Sequence, residues 1–195
     1  VVYGNLVGTA ANGTDVLGNG DSGVRIEQGV VDAVIGGTGV GQGNTIANNG
    51  QRGVRITDAS DRNTVRGNSI YANGELGIDL EVAGDPLSQV TANDGAYTVG
   101  QPNQAMDAPV LTAAPGLGGG MLTLDGHVGL GANATFAGAT VDFYIAAADA
   151  TGRGEGRVYL GSLVANGSSQ FSGTLTVGGL VVIGDLVTAT STDTQ

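Results

Sequence analysis

The 195-residue chain has no cysteine, no lysine and no tryptophan, and a single histidine, His127. Without cysteine there are no disulfides, no thiol catalysis and no thiolate-bound zinc. Without lysine there is no Schiff-base chemistry, no phosphate-cradling P-loop and no lysine isopeptide cross-link. One histidine cannot build a multi-histidine metal site. The seven basic residues are all arginine and face 18 acidic ones, for a net charge of −11. Clustered positive charge for neutralising phosphate is therefore missing, and neither nucleic acid nor an anionic membrane surface is an expected partner. No apolar run approaches the ~18 residues of a membrane span, so membrane insertion is not expected. No basic stretch followed by an apolar one marks a secretion signal. Because Val1 already stands in a strand-like run, the sequence reads as a segment of something longer. Aromatic residues are 4%, which leaves few platforms for stacking sugars or bases.

Glycine is abundant, with 37 residues, and 41% of the chain is apolar while only 13% is charged. Disordered chains combine low hydrophobicity with high charge density; this chain has neither property and is expected to fold. Three patterns recur in its first 80 residues. Gly-apolar-x-apolar occurs at Gly23-Val24-Arg25-Ile26, Gly53-Val54-Arg55-Ile56 and Gly77-Ile78-Asp79-Leu80. Asn-x-apolar starts at Asn5, Asn44 and Asn68, and a lone apolar residue recurs at Val2, Ile35 and Val65. Asn44 and Asn68 are 24 residues apart, as are Gly53 and Gly77. The longer first intervals equal one such period plus insertions of six residues within 37–42 and nine within 8–19, both rich in turn-forming glycine and asparagine. Three short alternating strands per period, each closed by Gly or Asn, predict a parallel β-helix of about three coils stacked at ~4.8 Å. No 3.6-residue periodicity long enough for a helix is present.

These repeats resemble those of bacterial right-handed parallel β-helix surface proteins. The resemblance rests on residues 5–9 and 17–24, on Gly43-Asn44-Thr45-Ile46-Ala47-Asn48-Asn49-Gly50, and on Gly67-Asn68-Ser69-Ile70-Tyr71-Ala72-Asn73-Gly74. It implies that Gly77-Ile78-Asp79-Leu80 ends the last coil and that Pro109-Val110-Leu111 opens an immunoglobulin-like β-sandwich. Gly154-Glu155-Gly156-Arg157 and the stretch from Val187 to Asp193 also look like that second module. The expected fold is all-β: β-helix coils over 1–88, a junction over 89–108 and a small antiparallel sandwich over 109–195, with turn signals at Asp85-Pro86 as the coils end and at Asn93-Asp94-Gly95 and Gln101-Pro102-Asn103 within the junction. Longer alternating strands are expected at 109–114, 121–128, 139–146, 157–164, 169–177 and 185–192. That is six where an immunoglobulin-like sandwich has seven, so the sandwich is expected to lack a strand and to leave a groove along a sheet edge. The face of His127 is not fixed by the alternation, which calls for a bulge near Gly126.

Stacking places Arg25, Arg55 and Asp79 in one outward row. Polysaccharide lyases on β-helices resemble this in using an arginine base beside calcium-holding carboxylates, which would make Arg55 and Asp79 the catalytic candidates. The competing reading is a solvated face with an Arg55–Asp79 surface pair worth less than ~1 kcal/mol, and it is favoured because only Asp79 and Glu81 stand near the arginines. Asp58 and Asp61 are close enough in sequence for a glycosidase pair but read as a turn. Asn5, Asn44 and Asn68 read as a structural amide ladder. Asp15, Asp21, Asp94 and Asp107 could meet calcium in loops, but no calcium motif is present, and no cofactor is expected. The sequence thus reads as a non-enzymatic structural or adhesive module, extracellular or on a cell surface. Copies of itself are expected partners, pairing strands head-to-tail into fibres at an open coil end and at the sandwich groove; the alternative is that the missing coils and strand belong to the same parent chain. Surface polysaccharide is the other expected partner. A lyase or glycoside hydrolase fragment and a carbohydrate-binding module are the alternatives.

Overall fold

A computed structural model describes residues 1–85, 89–131, 133–149 and 151–193. Pro86 of the expected Asp85-Pro86 turn and the boundary expected at 88 lie outside these. No α-helix occurs among the described residues. Strands β1 (Leu6–Val7), β2 (Val24–Ile26), β3 (Val34–Ile35), β4 (Thr45–Ala47), β5 (Val54–Ile56), β6 (Thr64–Val65), β7 (Ser69–Tyr71) and β8 (Ile78–Leu80) make three parallel sheets. One runs β1-β4-β7, one β2-β5-β8 and one β3-β6, to which Val2 adds a bridge at Ile35.

The register follows the repeats. Leu6 pairs with Thr45 and Thr45 with Ser69; Val24 pairs with Val54 and Val54 with Ile78; Ile35 pairs with Val65. Three coils result, and their inward residues form one column: Ile26, Ile35, Ile46, Val54, Ile56, Val65 and Ile70. Complete burial of a residue such as Ile46 contributes about 1.5–3 kcal/mol, which offsets the cost of ordering strands only two or three residues long. The corners need left-handed backbone, and Asn48, Asp58 and Ala72 adopt it with φ of 61°, 57° and 55°. Gly8, at φ 82°, has a further reason to lack a side chain, because a Cβ there would overlap the Ala47 carbonyl oxygen. The nine-residue insertion is a small antiparallel excursion held by the Thr9–Val16 bridge, and the six-residue one is a turn closed by Gln42 on Gly39.

A 3-10 turn, Pro102–Ala105, leads to the antiparallel part. This comprises β9 (Pro109–Leu111), β10 (Gly116–Gly118), β11 (Met121–Val128), β12 (Thr140–Ala147), β13 (Glu155–Val164), β14 (Gln170–Thr176) and β15 (Val187–Thr192). One sheet is β10-β11-β14 with β9 also on β11; the other is β13-β12-β15. They face each other across a core that includes Leu122, Leu124, Val141, Phe143, Leu160 and Phe171.

Seven strands are therefore present among the described residues rather than six. The additional one is β10, a Gly-Leu-Gly segment that pairs with Met121–Thr123 through its backbone. β11 has no bulge: Leu122, Leu124, Gly126 and Val128 alternate inward, and His127 lies on the outer face between Val110 and Gln170.

Candidate functional site

Arg25, Arg55 and Asp79 do occupy successive rungs of one sheet, but their side chains do not form an open row. Arg25 is exposed and binds Asp21 at 3.2 Å and Glu27 at 2.6 Å. Arg55 is bound by Glu81, not Asp79. That contact holds the guanidinium above its ordinary range and the Glu81 carboxyl below its own. Asp79 is only 3% exposed and accepts from Nε of Arg52 at 2.8 Å. Burial pushes its carboxyl upward, against the pull of Arg52. The expected Arg55–Asp79 pair is thus replaced by two pairs. Strand alternation points Asp79 outward, but Arg52, one residue before Gly53, folds over it and also reaches Glu75 at 2.7 Å.

Asp58 and Asp61 are committed to neighbouring segments. Asp58 accepts from the Gln28 backbone N–H at 2.8 Å, and Asp61 from Nε2 of Gln104 at 3.1 Å. Asp107 is buried and accepts from the N–H groups of Asp94 and Gly95; burial raises its carboxyl. Asp21 accepts from the Ser22 N–H. No group of three or more acidic or histidine side chains suited to a metal ion occurs among the described residues.

The asparagine ladder is present and has a direction. The N–H and Nδ2 of Asn5 donate to Oδ1 of Asn44, and those of Asn44 donate to Oδ1 of Asn68. Two further ladders went unread in the sequence. Asn19 donates to Asn49 and Asn49 to Asn73, and the last acceptor is Glu155 of β13, at 2.7 Å from Nδ2 and 3.1 Å from the N–H of Asn73. Ala33 donates to Asn63, and the last acceptor is Asn103 of the 3-10 turn. The 24-residue spacing of Asn49 and Asn73 signals the first of these, but nothing in the repeats points to Glu155, which burial pushes upward.

The antiparallel part and the turn before it therefore cover the C-terminal end of the stack as another coil would. Around these ladders, Arg66 makes a two-pronged pair with Asp142, 2.7 Å on each prong, and Tyr144 accepts from the Gly67 N–H. Ser69 donates to the Arg157 carbonyl, and the Arg157 guanidinium lies 5.4 Å from the Tyr71 ring centre. The cover leaves a cavity of about 390 Å³ between β8, the 89–108 segment and β15. At the opposite end of the stack the first coil exposes Tyr3, Leu6, Val30 and Val31.

A family model described as "Right handed beta helix region" matches residues 5–99. No solved structure matches the chain. Over 5–99, the stretch that holds strands β1 to β8, the chain is similar to right-handed β-helix proteins, and its parallel sheets have that fold.

Proposed function

We propose that the chain is a non-enzymatic structural or adhesive module of an extracellular or cell-surface protein, with an immunoglobulin-like sandwich as its second part. The observation that carries this reading is the internal use of charge on the coil face. Arg55 is spent on Glu81 and Asp79 on Arg52. An arginine acting as base must lose a proton near neutral pH, and Glu81 moves Arg55 away from that condition. A glycosidase needs two carboxylates ~5–9.5 Å apart across an open sugar site, and Asp58 and Asp61 are tied to backbone and amide donors instead. The extracellular, bacterial and surface aspects rest on the resemblance of the repeats.

The test is incubation of the protein with pectin, alginate and related polymers, with product detection by ultraviolet absorbance for unsaturated sugars and by reducing-end assay. The expected result is no release above a heat-treated control. Release abolished by Arg55→Ala would establish a lyase or hydrolase instead. Saturable glycan binding without turnover would establish a carbohydrate-binding module.

A further inference from the structure

β15 pairs with β12 along one edge, and no described strand pairs with its other edge. Sheet edges are ordinarily protected by charge, proline, bulges or brevity. β15 has none of these protections over Val187–Thr190, while at its end Ser191 donates to the Asp107 carbonyl and the Tyr97 hydroxyl donates to Asp193. The strand runs six residues, Val187-Thr188-Ala189-Thr190-Ser191-Thr192, without a charge, a proline or a glycine, and four of the six are β-branched. Its register with β12 is unbroken, whereas β13 on the far side shifts register twice.

The free edge is turned to the cavity. Val187 and Ala189 pack on the sandwich core, so alternation puts Thr188 and Thr190 on the opposite face. Residues 188–193 all line the cavity, from both faces, which places the backbone edge itself on its wall. The opposite wall carries Ile78 and Leu80 of β8, and β8 is in turn the last strand of its own sheet. The cavity is thus a slot between the last strands of two sheets.

We propose that this slot is a docking site for an extended segment of another polypeptide, added as a strand beside β15. Main-chain hydrogen bonds would supply affinity, and the apolar wall at Ile78 and Leu80 would select side chains at alternate positions. The cavity lining carries Asp61, Asp79, Asp149, Glu155 and Asp193 against Arg62 and Arg153, in a chain of net charge −11. The segment that fits is β-branched and uncharged, with basic rather than acidic flanks. A second copy of this chain is a poor source. Its exposed apolar stretch around Leu180, Val182 and Ile183 is held in turns by the Leu180–Val177 and Asp185–Val182 hydrogen bonds, not offered as a strand. The site does not depend on where the protein resides or on the absence of catalysis.

The test is nuclear magnetic resonance titration of the full chain, labelled with nitrogen-15, with a capped octapeptide of alternating valine and threonine flanked by lysines. Two further peptides serve as controls: one with proline at alternate positions and one with glutamate flanks. Saturable shifts confined to the amides of 187–193 and 78–80 are expected, with binding at least ~10-fold weaker for either control peptide. Thr192→Lys, which adds the usual guard of an edge strand, is expected to weaken binding by a similar factor while leaving the β11 and β14 resonances in place. Should that variant fail to fold, the proline peptide decides. The proposal is overturned by an absence of saturable shifts, by shifts elsewhere or by insensitivity to proline. Concentration-dependent shifts of β15 without peptide would overturn the choice of occupant and put a second copy in the slot.

Discussion

Arg52 is the residue on which the charged face turns. It is 5% exposed in its side chain and neutralises an aspartate that is 3% exposed. Removing one member of a buried pair leaves the other charged and unsolvated, which typically costs ~3–5 kcal/mol. Arg52→Ala is therefore expected to destabilise the chain by about that amount in urea denaturation, whereas Arg25→Ala, in an exposed cluster, should change it by less than ~1 kcal/mol. Glu155 gives a different kind of test. Its carboxyl is raised by burial in the folded chain. The folded state then holds the proton more tightly than the unfolded state does, so this group's contribution is complete at pH values below its unfolded range and declines as pH rises through its folded one. Asp79 and Asp107 act in the same direction. The stability advantage of the wild-type chain over Glu155→Gln should shrink as pH rises above the ordinary carboxylate range. Denaturation series at several pH values measure it, and an advantage that grows with pH would mean that the ionised carboxylate is the favoured form.

At the scale of the strand and the turn, the coils were legible and the cover was not. Parallel in-register stacking turns a sequence period into a contact, so the 24-residue intervals at Asn44–Asn68 and Gly53–Gly77 state the pairings directly. The Gly-Leu-Gly strand β10 was hidden because its pairing uses backbone alone, and glycine otherwise signals a turn. Asp79 was misplaced because alternation gives the direction of a side chain but not what folds over it. Glu155 was invisible because its contact joins residues 82 apart, of unlike type, outside any repeat. The same stacking logic yields a prediction at a corner. Asn48 and Ala72 hold equivalent left-handed positions one rung apart. Asparagine tolerates that conformation, whereas alanine is strained there by ~1–2 kcal/mol. Ala72→Asn, at an exposed position, is expected to raise stability by about 0.5–1 kcal/mol, read as a higher denaturation midpoint with an unchanged slope.

For the whole molecule, the consequence is that the coil stack and the antiparallel sheets are one mechanical unit. Glu155 stands where a fourth asparagine of the Asn19–Asn49–Asn73 ladder would stand, and Asn103 extends the ladder of Asn63. Arg66–Asp142 and Tyr144–Gly67 hold the same boundary. The end of the stack should not open independently of the sandwich core. Hydrogen–deuterium exchange at the Asn73 amide, compared with the core amides of Phe143 and Tyr144, tests this most directly. In the wild-type chain the three should exchange with the same opening free energy. In Glu155→Ala, which leaves the Asn73 N–H unpaired at a cost of ~1–3 kcal/mol and Nδ2 with only the Ile46 carbonyl, Asn73 alone should lose protection, by about 10-fold or more. Exchange at Asn73 that is already ~100-fold faster than at Phe143 in the wild-type chain, or that ignores the loss of Glu155, would contradict a stack closed by its neighbouring sheet.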